Sequence, residues 1–95
     1  MENELTETQK NIYNSYLKIY ARNNNRGYKQ RKDFSKIDEN TQRTLQRLER
    51  FFNEHSDIAV EDFIQAGFTF LHRKYIPLDF FVTYRAIVAY KRTRK

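Results

Sequence analysis

Few side chains in this sequence have the type and spacing to run a reaction. Cysteine is absent, which excludes thiol nucleophiles, disulfides and thiolate metal sites. The three serines, Ser15, Ser35 and Ser56, lack the flanking glycines that build a strained nucleophile turn. His55 and His72 are the two imidazoles, and no base or orienting acid is spaced to work with either, so both read as structural residues near helix ends. A magnesium-dependent nuclease needs converging carboxylates, for which Glu61, Asp62 and Asp79 are the candidates. All three fall in the first turns of expected helices, where the helix dipole accounts for them. The starts of two antiparallel helices also lie at opposite ends, which separates Asp79 from Glu61. No glycine-rich phosphate loop is present. The expectation is no catalysis, no cofactor and no metal site.

The chain is better equipped to hold anions. Its 18 Lys and Arg against 12 Asp and Glu give a net charge of +6, and that charge is segregated. Arg22, Arg26, Lys29, Arg31 and Lys32 fall in one acid-free segment, and Arg85, Lys91, Arg92, Arg94 and Lys95 in another. Everything else, eight bases against twelve acids, sums to −4. A surface selected only for solubility mixes its signs more evenly. Two acid-free basic segments, with Arg43, Arg47 and Arg50 at i, i+4 and i+7 on the exposed side of a helix, match an electrostatic footprint for phosphates. Tyr28, between Arg26, Gly27, Lys29 and Arg31, is the aromatic best placed to contact a base or ribose. Tyr13, Tyr16 and Tyr20 share a helix face with Leu17 and are expected to pack on the core. The alternative partner is an acidic protein surface met by the same segments, with Phe34, Phe70 and Tyr75 as apolar anchors; such a patch also allows self-association.

The elements that must position these residues are helical. Two glycines and one proline are too few for the turns of an all-β fold. Leu5, Ile12, Tyr13, Tyr16, Leu17 and Tyr20 recur at helical spacing, and Thr6 with Gln9 forms a capping-box pattern, which predicts a helix from about Glu7 to Arg22. The run Asn23–Gly27 stops it, and 22–32 is expected to be a loop. A second helix, capped by Ser35 or Asp38, runs to about Asn53 with Ile37, Thr41, Leu45, Leu48, Phe51 and Phe52 inside. A third covers about Val60 to Arg73 with Val60, Phe63, Ile64, Gly67, Phe68 and Leu71 on its apolar face. Gly67 costs about 1 kcal/mol against alanine inside a helix, and a close crossing with a neighbour would offset it. Pro77 suits the first position of a fourth helix reaching about Lys91, with Phe80, Phe81, Tyr84, Ile87 and Val88 on its face. That helix is apolar almost all round, so it is a core element and not a recognition helix for base edges.

The fold class is therefore all-α: a compact bundle of about four helices with a central C-terminal hairpin, forming one domain over residues 1–95 with 1–4 and 91–95 as flexible ends. The apolar runs are shorter than the about 20 residues of a membrane span, and the acidic N-terminus is unlike a secretory signal, so an intracellular protein is expected. The tyrosine-, asparagine- and lysine-rich composition, with little glycine or alanine, resembles that of small viral or phage proteins, which implies an accessory role in replication or a nucleoprotein assembly. The functional expectation is non-catalytic binding of nucleic acid through its sugar–phosphate backbone. Arg22, Arg26, Lys29, Arg31, Lys32, Lys91, Arg92, Arg94 and Lys95 would grip phosphates, supported by Tyr28, Arg43, Arg47 and Arg50.

Overall fold

The computed structural model describes residues 5–84. Helix α1 spans Glu7–Asn23 and starts where the sequence places a cap. The Thr6 hydroxyl accepts from the Gln9 amide at 3.1 Å, and the Gln9 side chain accepts from the Thr6 amide at 3.2 Å. Both bonds satisfy amides that a helix start leaves open. Helix α2 spans Glu39–Glu54, with Asp38 as its cap accepting from the Thr41 amide at 2.9 Å. Helix α3 spans Val60–Leu71, with Glu61 and Asp62 in its first turn. A fourth helix, α4, begins at residue 80 and is helical through residue 84, where the described residues end.

Several expectations change in detail, the start of the fourth helix at residue 80 and not at Pro77 among them. The left-handed residue after α1 is Asn25, at φ 54°, and Gly27 has no positive φ; the asparagine alone makes the reversal. Helix α3 stops before Arg73, because His72 takes the left-handed conformation while its amide still bonds the Phe68 carbonyl at 2.9 Å. In α2, Thr44 is buried and Thr41 only half-buried; Thr44 lies one turn before Leu48 and satisfies its hydroxyl on the Asn40 carbonyl at 3.0 Å. Phe34 belongs to the core and not to an exposed edge, with its ring edge-on to Tyr13 at 5.8 Å.

Side-chain pairs fix the packing directions. Glu49 near the end of α2 accepts from Gln9 at 2.6 Å and from Thr6 at 3.1 Å, while Tyr13 and Tyr16 lie beside Asn40, Thr41 and Thr44; α1 and α2 are antiparallel. Lys18 reaches Glu61 at 3.3 Å and Arg22 reaches Gln65 at 2.9 Å, so α1 and α3 run in the same direction. Ile12, Ile19, Leu45, Leu48, Ile64, Phe68, Ile76 and Phe81 are the fully buried side chains at the centre. Phe81 and Phe68 hold the positions the sequence assigns them. Ile87 and Val88, the rest of the expected α4 face, lie outside the described residues, as do 1–4 and 91–95.

Gly67 and Phe81 explain each other. A Cβ on Gly67 would stand 2.3 Å from Cε1 of Phe81, so the ring occupies space that every other residue type would fill. The ring is held by Phe63 at 6.0 Å, Phe68 at 6.2 Å and Tyr16 at 6.2 Å between centroids, which leaves it little room to move aside. Gly67→Ala should therefore destabilise the fold by about 1–2 kcal/mol in urea unfolding, overpacking outweighing about 1 kcal/mol of gained helix propensity. Phe81→Leu in the same chain should recover part of that loss. Alanine at 67 matching or exceeding the parent stability would show that the crossing is loose.

Tyr16 ties α1 to the connection between α3 and α4, its hydroxyl donating to the Ile76 carbonyl at 2.5 Å. Burial, with smaller contributions from Tyr75, Tyr13 and Tyr20, raises its phenol well above the ordinary value of 10.0. The folded chain thus holds this proton to higher pH than the unfolded chain does. The corresponding stability is complete below about pH 10 and is lost as pH rises further. Tyr16→Phe should cost about 1–3 kcal/mol at pH 7 by stranding a buried carbonyl. The same variant should lose less stability than the parent between pH 10 and 11.5. An identical alkaline profile by circular dichroism would show that Tyr16 does not titrate on unfolding.

Candidate nucleic-acid interface

The acids of the described chain are largely engaged in holding it together. Glu49 bridges α1 and α2, Asp38 caps α2, and Glu61 pairs with Lys18. Glu39 pairs with Arg43 at 3.6 Å and Glu7 with Lys10 at 3.5 Å, both exposed and each worth at most a few tenths of a kcal/mol. Asp33 accepts from the Ser35 amide at 3.0 Å and hydroxyl at 2.7 Å; these bonds, with a weaker pull from Arg31, hold its carboxyl below its ordinary range. Bonds from Thr41 do the same for Asp38. Of Glu61, Asp62 and Asp79, the carboxylates weighed and set aside as nuclease candidates, Glu61 faces α1 and Asp79 faces the start of α2. Among the described residues no three His, Asp or Glu side chains group as metal ligands do. His55 stacks on Phe51 at 4.6 Å with its Nδ1 3.1 Å from the Phe51 carbonyl oxygen, and exposed His72 closes α3.

The basic segment 22–32 is not all loop, since Arg22 lies in the last turn of α1, and it is left without comparable compensation. Arg22, Arg26, Lys29 and Lys32 are exposed, and among the described residues none pairs with a carboxylate. Arg22 donates to the side chain of Gln65, which keeps its charge and fixes its direction. Tyr28 is 43% exposed and lines a cleft of about 220 Å³ with Leu17, Tyr20, Arg26 and Lys29.

Arg31 differs from its neighbours. Its guanidinium lies 5.7 Å from the Tyr13 ring centre and 5.9 Å from that of Phe34, while Nε donates to the Asp33 carbonyl at 2.9 Å. Its backbone is clasped by buried Asn14, which accepts from the Arg31 amide at 2.8 Å and donates to its carbonyl at 3.1 Å. Arg31 is thus a fastener for the loop. The sequence signal that could have marked it is Asn14, a polar residue on the buried side of an amphipathic helix, which needs a partner of its own.

The α2 arginines divide. Arg43 and Arg47 line a cleft of about 390 Å³ against Asp79, Phe80, Val82 and Thr83, at the start of α4. Arg50 is exposed and is not among the lining residues of that cleft. Lys91, Arg92, Arg94 and Lys95, with Arg85, lie outside the described residues.

Tyr75 is 60% exposed, at an edge where the sequence places an apolar anchor, and sits edge-on to Tyr20 at 6.0 Å. One feature escaped sequence reasoning: Asp79 stands in the cleft with the arginines, which depends on how the 72–79 connection packs over α1 and α2. The Asn24 side chain secures that connection to the end of α1 by donating to the Lys74 carbonyl at 2.6 Å. The chain matches no protein-family model, no curated protein and no solved structure.

Asn14→Ala should release the loop while leaving the bundle folded. The Arg31 amide should exchange with solvent at least about tenfold faster, with a stability loss of about 1–2 kcal/mol. Unchanged exchange at Arg31 would mean that the loop is held by its ring contacts alone.

Proposed function

We propose that this protein is a non-catalytic nucleic-acid-binding module that grips the sugar–phosphate backbone through its basic loop. One observation carries the reading: the acids are largely engaged in caps, bridges and pairs, while Arg22, Arg26, Lys29 and Lys32 stand exposed without a carboxylate partner among the described residues. Uncompensated cations in the last turn of α1 and on the loop that follows it attract a polyanion, and each neutralised phosphate releases counterions. A role as an accessory protein in replication or a nucleoprotein assembly fits this chemistry. Arg43 and Arg47 extend the positive surface, and the C-terminal basic residues would add to it.

The test is a binding titration across salt. Six phosphate contacts on duplex DNA give a log–log slope near about −5, and fewer contacts give proportionally less. Changing Arg26, Lys29 and Lys32 together to alanine should flatten the slope by about one unit per lost contact, without change in melting temperature. A folded protein with no salt-dependent affinity for DNA or RNA would overturn the reading in favour of docking on an acidic protein surface.

A further inference from the structure

Three clefts on this molecule are linked through the residues that line them, two by a shared wall and the third by a ring contact. The cleft lined by Arg43 and Arg47 shares Asn40, Thr44 and Asp79 with a second of about 220 Å³, whose wall includes Tyr13 and Tyr75. Tyr75 in turn meets Tyr20, which lines the third cleft together with Tyr28, Arg26 and Lys29. Cations therefore stand at both ends and tyrosines in between. Tyr75 and Tyr28 are two of the three large apolar or aromatic side chains left exposed among the described residues.

We infer that this path carries single-stranded nucleic acid, with Arg26 and Lys29 at one end, Arg43 and Arg47 at the other, and the rings of Tyr28 and Tyr75 as stacking faces for bases. The inference rests on the nucleic-acid reading above and narrows it to one strand. A duplex keeps its base faces stacked inside and offers only edges and phosphates, so it has no use for exposed rings. A single strand presents faces, and aromatic side chains set along a positive groove are what hold it without regard to sequence. The path also contains its own counter-signal. Asp79 lines both clefts on the α2 side and repels phosphate there, so the backbone is expected to pass along the arginine side with bases turned toward the polar floor.

The experiment uses fluorescence anisotropy of labelled dT12 and rU12 strands, and of a 12-base-pair duplex, with the full chain at fixed salt. Tyr28→Ala and Tyr75→Ala should each weaken binding of the single strands by about fivefold to a hundredfold, and the corresponding phenylalanine variants should retain it. Duplex affinity should be weaker than that for single strands and unmoved by either alanine. Asp79→Asn, which removes the charge and keeps the size of the side chain, should tighten single-strand binding by about twofold to fivefold. If the tyrosine variants bind single strands like the parent while Arg26→Ala and Lys29→Ala bind less well, the path is wrong and the phosphate reading stands. Preference for the duplex also overturns the path. No binding of any probe by the folded chain overturns both.

Discussion

The Phe81 ring lies where a side chain on Gly67 would have to be, and this crossing sets how closely the two arms of the C-terminal hairpin approach. A ring that cannot retreat from Phe63, Phe68 and Tyr16 makes the contact a positional constraint as well as a source of burial. With α4 fixed against α3, the 72–79 connection has one place to go. Ile76 is drawn fully inside, and its carbonyl meets the Tyr16 hydroxyl. Tyr75, one residue earlier, is left facing outward over Tyr20. The exposed ring and the cleft beside it are thus consequences of a packing decision made in the core.

Charge is organised by the same economy of roles. Amides such as Asn14, Asn24 and Gln65 and several of the acids supply the polar side chains that this chain gives to its own architecture. Carboxylates cap helices, bridge α1 to α2 and pair across α1 and α3, where their acceptor oxygens satisfy amides and amines. Cations then accumulate where no such task exists, on the loop after α1 and along α2. Arg31 is the exception, and its guanidinium beside the Tyr13 and Phe34 rings holds the loop down. Salt would weaken the pull of the exposed cations on a polyanion but leave these internal bonds nearly untouched, because buried and directional contacts are screened least.

The helices were legible in the sequence because each is locally redundant: periodicity, caps and stop residues agree for α1 and α2 to within a residue or two. Gly67 and Phe81 were legible individually, and the glycine's cost implied a partner without naming it. The meeting of Tyr75 with Tyr20, the placement of Asp79 opposite Arg43 and Arg47, and the fastening of Arg31 by Asn14 were not legible. Each joins residues on separate elements, and no local spacing encodes such a meeting. Periodicity did not separate Phe34 from a surface anchor either, since it lies in an irregular segment whose burial is decided by Tyr13.

The most direct measurement is a two-dimensional NMR titration of the isotope-labelled protein with a short single strand. Stacking of a base on a tyrosine shifts the ring resonances upfield, so Tyr28 and Tyr75 should move together and saturate with the amides of 26–29 and the side chains of Arg43 and Arg47. Shifts confined to another face, such as the one around exposed Phe70, with the tyrosines of the path unmoved, would contradict the account.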